Sequence, residues 1–260
     1  AEKNKKGYSK YNSLNSKIFD KRISINFDVE PLKLDNVIIR LCPMVKSAYC
    51  KIQVPEYILN NLNIYLDKIY ANPDTPSRGH DLVGEIKMLN GKKGKQLALN
   101  MDDELVRPFS RFLEICSRCY LNTLYSKNLN DNTIVPIVDE IWSVHQFETD
   151  YNPLHQHSNS ISDFGLSSFL HLKLPEQLLE HNKSQNQKNG NGFSNGRTIL
   201  AWDTPSFLDI KQMKFGSQVH TLGETGILYL FPQWLHHTVY PFFGEGERRT
   251  VAANVGIKFY

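Results

Sequence analysis

Four cysteines (Cys42, Cys50, Cys116 and Cys119) are too few to staple 260 residues. That excludes a disulfide framework and makes a reducing, cytoplasmic setting the expectation. No uncharged apolar run approaches the roughly eighteen residues a membrane helix needs, and no signal-peptide pattern opens the chain. No membrane partner is therefore expected. The net charge is only +3, which gives no clear nucleic-acid signal. Internal repeats are absent. What remains is ordinary for a soluble globular protein: 40% hydrophobic and 22% charged residues, in a length that suits one sizeable core. The expectation is a single domain over 1–260; its oligomeric state is not legible.

Residues 23–40 alternate (RISINFDV, NVIIRL), and Ile23, Ile25 and Phe27 share one side of a period-2 pattern. One or two strands are expected there. Pro55 and Glu56 open a helix with Ile58, Leu59, Leu62, Leu66 and Ile69 at three- and four-residue spacing, and Asn72-Pro73 stops it. Asn100 can cap a second helix with Asp102, Asp103 and Glu104 in its first turn. Pro108 should kink that helix or mark its true start. Cys116 and Cys119 form a CxxC, but Cys116 falls on the apolar stripe and no second metal-spaced pair stands nearby, so core packing is expected. From Ile137 onward the pattern is strand-like, with a polar, Asn/Gln/Gly-rich stretch over 176–197 read as a flexible insertion. Strands after a helical first half suggest a sandwich backed by helices.

The chemistry concentrates in two stretches. Asp150-Tyr-Asn-Pro-Leu-His-Gln-His holds His155 and His157, and residues i and i+2 of a strand point to one face. Two imidazoles there can reach one metal ion, with a third ligand required from a distant strand. The stretch from Leu230 to Asn254 holds His236 and His237, then Arg248 and Arg249. Two imidazoles plus one further ligand, with positions left open, is how a reactive divalent iron is held. A downstream arginine would bind the carboxylate of a co-substrate. The remaining histidines (His80, His145, His171, His181 and His220) are read as structural.

NPLHQHSNS, LKLPEQLLE, LYLFPQWLHHTVYPF and ERRTVAAN, in that order, resemble the 2-oxoglutarate/Fe(II) oxygenases associated with phages and bacteria. The likeness spans Trp142 to Asn254 and, more loosely, Val54 to Leu89. It implies an α+β, mainly β fold: a double-stranded β-helix (jelly roll) over 136–260, backed by N-terminal strands and helices over 1–135. It implies that His155, His157 and His237 bind Fe(II), with His236 pointing away. It also implies that Arg248 and Thr250 bind 2-oxoglutarate and Arg249 faces the outer side. The wider superfamily has an acidic residue where this chain has His157, so Asp163, or Asp150, is the alternative ligand. The implied activity is an O2-consuming, prolyl-hydroxylase-like hydroxylation, in the host cytoplasm if the source is viral. The prime substrate is unidentified and a protein is the first expectation; a small molecule or nucleobase, or a cupin-like metalloprotein without 2-oxoglutarate, are the alternatives. Trp202, Tyr240 and the insertion are expected at the entrance.

Overall fold

The computed structural model describes residues 23–29, 32–43, 48–89, 92–125, 134–179, 194–203, 218–221 and 223–260, with the backbone alone at 23–29, 32–43, 88–89, 92–93 and 125. The chain starts with strands β1 (Ile23–Val29), β2 (Leu32–Pro43) and β3 (Ala48–Gln53), then helix α1 (Glu56–Ala71). Short strands β4 (Met88–Leu89), β5 (Lys92–Lys93) and β6 (Lys95–Ala98) precede helix α2 (Arg107–Tyr125). The second half is strand: β7 (Ile134–Gln146), β8 (Asn152–His155), β9 (Gly165–Lys173), β10 (Thr198–Ala201), β11 (Gln218–His220), β12 (Ile227–Pro232), β13 (His236–Val239) and β14 (Arg248–Phe259). None of the described helices is long and apolar enough to cross a membrane.

Two antiparallel sheets carry the fold. The larger runs β1-β2-β3-β12-β9-β14-β7-β6 and the smaller β11-β10-β13-β8. The N-terminal half thus supplies strands to both edges of the larger sheet. Strand alternation then divides the core in two. Val251, Ala253, Val255 and Ile257 of β14 point outward and pack with Ile58, Leu62 and Leu66 of α1 and Phe109, Phe112 and Leu113 of α2. Tyr49, Phe169, Tyr229 and Phe231 point inward and meet Leu200 and Leu235 on the other side. The helices are therefore an outer layer, and the inner faces of the two sheets remain available for a site.

The second helix starts later than the Asn100 cap predicts. Residues 100–106 form successive turns, in which Asn100 Oδ1 accepts the Asp102 N–H (3.1 Å) and Asp103 Oδ1 that of Leu105 (2.9 Å). Pro108 has no N–H to continue a helix from Glu104 and is tolerated only at the first turn. No acidic residue stands in that turn. Cys116 and Cys119 are buried and free beside Cys50; burial pushes the Cys119 thiol up to about 12 and that of Cys116 well above its usual value.

A polar cluster ties α1 to the start of β14. Arg249 pairs with Asp67 (2.7 Å) and Glu247 (2.9 Å), and His145 donates Nδ1–H to the same Glu247 oxygen at 2.7 Å. Burial alone would raise the Glu247 carboxyl, but its bonds to His145 and Arg249 outweigh that and hold it at about 2. Burial lowers His145, so the imidazole is a neutral donor and Arg249 is the cation. A depressed carboxylate stabilises the fold fully above its ordinary value of 4.5 and ceases to as pH falls through about 2. Glu247→Gln should therefore cost about 1–3 kcal/mol at neutral pH, a deficit that closes on acidification across that window. Urea unfolding of both proteins at stepped pH measures it.

Candidate metal centre and active site

Strand β8 is the edge of the smaller sheet, and its His155 lies directly opposite His237 of β13. His157 is not in the strand. The chain leaves β8 after His155, and the His157 N–H bonds the Gln233 carbonyl at 3.0 Å, past the end of β12 in the other sheet. Both histidines therefore still reach one point, but from a strand and from a crossing between sheets rather than from one strand face. His236 is exposed and His237 buried, as alternation along β13 requires. Candidate ligand atoms of His155, His157 and His237 all lie within 4.8 Å of one another.

The backbone fixes which ring nitrogens face inward. A carbonyl oxygen only accepts, so His155 donates Nδ1–H to the Pro153 carbonyl (2.7 Å) and His237 donates Nδ1–H to that of Leu235 (3.1 Å). Each neutral ring thereby keeps Nε2 as its acceptor, and the Nδ1–H bond to a carbonyl is the second-sphere pattern of metal-binding histidines. Asn152 Nδ2–H donates to His155 Nε2 (3.2 Å) and His157 Nε2–H to that of His237. His157 Nε2 is 3.1 Å from His237 Nε2. Two nitrogens at right angles about an ion, each roughly 2.1 Å from it, stand about 3 Å apart. Burial pushes all three imidazoles down, His157 to about 4 and His237 well below its usual value, each with a neighbouring histidine adding to the effect. Trp142 (5.4 Å from the His157 ring) and Phe231 (5.2 Å from His237) supply apolar walls. The donor set fits a first-row divalent ion, and imidazole suits iron, zinc, copper and nickel alike.

Neither candidate carboxylate joins the three rings. Asp163 is exposed, and its backbone carbonyl takes Gln233 Nε2–H. Asp150 is buried with its oxygens spent on the N–H groups of Lys87 and Phe147, bracing the turn between β7 and β8.

The centre opens on a cavity of about 370 Å³ between the sheets. At one end Thr250 lines it, with its hydroxyl 3.0 Å from His171 Nδ1. Arg248 is fully buried beside this end without entering the lining. It donates to Gln146 Oε1 and to the carbonyls of Gly196, Tyr240 and Asp150, which uses four of its five N–H donors. Burial lowers it to about 10, so it stays cationic at neutral pH. Among the described residues no carboxylate stands in ion-pair reach of it. Arg249 faces α1 on the other side of β14.

A family model described as "Putative 2OG-Fe(II) oxygenase" matches residues 140–254, the segment that carries all three histidines, Arg248 and Thr250. Residues 140–254 belong to that oxygenase family. The segment is thus an enzyme domain whose cofactors are Fe(II) and 2-oxoglutarate. Similar solved structures include a Pseudomonas putida prolyl-4-hydroxylase (11% identity, 82% of this chain and 92% of that one, TM-score 0.48). A viral collagen prolyl hydroxylase from Paramecium bursaria chlorella virus-1, in complex with 2-oxoglutarate, is similar too (14% identity, 80% and 94%, TM-score 0.42). A third is HygX from Streptomyces hygroscopicus with nickel and 2-oxoglutarate bound (10% identity, 80% and 82%, TM-score 0.45). At these identities and TM-scores none lends a residue role to this oxygenase. No curated protein matches the sequence.

The entrance to the oxygenase cavity differs from expectation. Trp202 packs against the inner core and Tyr240 serves Arg248 through its carbonyl; neither lines the cavity. The lip is instead Arg78, Asp81, Leu82 and Val83, from the loop after α1. That loop is clamped to β8. Glu85 and Tyr151 exchange backbone hydrogen bonds (3.1 and 3.2 Å), and Asn152 Oδ1 takes the Gly84 N–H at 2.9 Å. A Cβ at residue 84 would run into the Tyr151 carbonyl, so the approach needs glycine. The described flanks of the 176–197 insertion are anchored rather than free. Leu178 is buried, Gln177 bonds the Phe243 and Glu245 carbonyls, and Gly196 bonds both Pro241 and Arg248. Residues 180–193 of the insertion lie outside the described residues. His171, read from sequence as structural, is buried and bonds the Thr250 hydroxyl.

Proposed function

We propose that the whole chain is one oxygenase domain that hydroxylates a side chain of a protein substrate in the cytoplasm. In this reading His155, His157 and His237 hold Fe(II), and Arg248 with Thr250 holds the far carboxylate of 2-oxoglutarate. The architecture is then a double-stranded β-helix, supported by two antiparallel sheets whose inner faces flank the cavity. The free thiols of Cys116 and Cys119 support a reducing compartment. The observation that carries the reading is the convergence of three imidazoles, His237 buried and His155 and His157 half-buried, two of them with Nδ1–H tied to backbone carbonyls, in a cavity that has a cation beside it.

Held by His155, His157 and His237, Fe(II) would supply the coupling of 2-oxoglutarate decarboxylation by O2 to hydroxylation of a C–H bond. The chain's own work is positioning. The Pro153 and Leu235 carbonyls keep the His155 and His237 rings in the ligating tautomer, and Trp142 and Phe231 keep water from the His157 and His237 rings. Three imidazoles leave the ion's full charge uncompensated, which a dianionic co-substrate offsets. Arg248 stays protonated and fixes the co-substrate's orientation through its charge, while the Thr250 hydroxyl faces the cavity.

The test is anaerobic loading with Fe(II) and 2-oxoglutarate, followed by oxygen and a host protein lysate. Succinate should form only with both cofactors present, and mass spectrometry should find lysate peptides gaining one oxygen. Metal binding without 2-oxoglutarate binding would replace this reading with the cupin-like one.

A further inference from the structure

Asn254 lies on the inner face of β14, in the same alternation that places Thr250 and Ala252 in the cavity wall. It is 2% exposed, and both its N–H groups and its carbonyl are engaged. Ser167 of β9, directly opposite, donates its hydroxyl to Asn254 Oδ1 at 2.6 Å. Asn254 Nδ2 donates to Glu140 Oε1 of β7 (3.0 Å) and to the Ser158 carbonyl (3.1 Å). A carboxylate and a carbonyl only accept, so the amide stands one way round. Two of these bonds join strands that the larger sheet already pairs. The third leaves the sheet and holds the residue after His157.

The floor beneath that segment is shaped to receive it. Gly165 and Gly256 face each other across β9 and β14. A Cβ at Gly256 would run into Ile161 and Asn159, and one at Gly165 into Gln233 and Asn159. Glycine within a strand marks such a close approach, and here the segment leaving His157 is what approaches.

The three rings are not supported alike. Strand pairing sets His155 opposite His237. His157 stands outside the strands, with its N–H on the Gln233 carbonyl (3.0 Å) and the next carbonyl on Asn254. Held at both points, the backbone leaves the His157 ring only its side-chain torsions. Trp142 and His237 then pack against the ring, with centroids 5.4 and 4.9 Å away. We propose that Asn254 is a positioning residue of the metal centre, pinning the Ser158 peptide over the Gly165–Gly256 floor and so setting where His157 Nε2 stands. This rests on the metal reading above and gives Asn254 a role that reading leaves out. Glu140 lines the cavity, so one amide fixes a wall residue and the ligand's segment together. Groups that hold a ligand in place are worth roughly 10–100-fold in metal affinity.

The test is titration of the full chain with Co(II) at neutral pH, followed by visible absorption, with thermal melts of the same proteins. The decisive variant combines Asn254→Asp with Glu140→Gln. The new carboxylate still takes the Ser167 hydroxyl and an N–H from the new amide, so the links to β9 and β7 persist. No donor then faces the Ser158 carbonyl. This variant should bind Co(II) on the order of tenfold more weakly than the parent and shift its d–d bands. Gly256→Ala lifts the segment from below without touching Asn254, and should weaken binding as well. Ser167→Ala loses a bond of the sheet but keeps the one to Ser158, and should bind Co(II) as the parent does. Parent-like binding in the double variant or in Gly256→Ala overturns the inference. So does equal weakening in Ser167→Ala, because the ion would then be answering a general loosening of the sheet. A parent that takes up no Co(II) sinks the metal reading, and this inference falls with it.

Discussion

His237→Ala should weaken Fe(II) binding by on the order of 100-fold or more, about 2.7 kcal/mol, while His236→Ala should leave it within about twofold. The two residues are neighbours with opposite fates. His237 is 6% exposed, has its Nδ1–H fixed by the Leu235 carbonyl and sits opposite His155, whereas the His236 side chain is on the solvent face. His155→Ala and His157→Ala should resemble His237→Ala. Each ring also makes hydrogen bonds within the fold, so the metal-free variants should lose a little stability as well. Anaerobic titration with Fe(II), with circular dichroism melts of the metal-free proteins, separates the two effects. Equal loss at His236 and His237 would show that the structure has the wrong member facing inward. An equal loss on Asp163→Ala would restore the carboxylate as a ligand.

Arg248→Met should weaken 2-oxoglutarate binding by about 2–5 kcal/mol, the cost of truncating one partner of a buried charge pair. It should also destabilise the fold. Arg248 satisfies the carbonyls of Gly196, Tyr240 and Asp150, and its loss orphans buried acceptors at a further cost of about 1–3 kcal/mol. Thr250→Val removes the hydroxyl that faces the cavity, at nearly constant shape, and should cost about 1 kcal/mol of co-substrate binding with little change in melting. Arg249→Met breaks the bonds to Glu247 and Asp67 on the other face and should lower stability while sparing the co-substrate. Calorimetric titration with 2-oxoglutarate, using Mn(II) to prevent turnover, reads all three. If Arg248→Met and Thr250→Val both bind 2-oxoglutarate as the parent does, the far carboxylate is held elsewhere.

Local patterns were legible because they depend on near neighbours. The four-residue spacing of Ile58, Leu62 and Leu66 marked one buried helix face, and Pro108 had either to kink its helix or to mark the start, which is where it stands. The family resemblance chose His237 over His236 and Arg248 over Arg249, and strand alternation put the other member of each pair on the opposite face. The histidine pair at 155 and 157 likewise announced a shared target. Tertiary structure alone decided how that target is built. His157 meets His237 across 80 residues of sequence, and Arg248 meets Gln146 across 102. Such meetings follow from sheet register and from where a strand ends, which no local period encodes. The same holds for the cavity lip, made by a loop that needs Gly84 to touch β8.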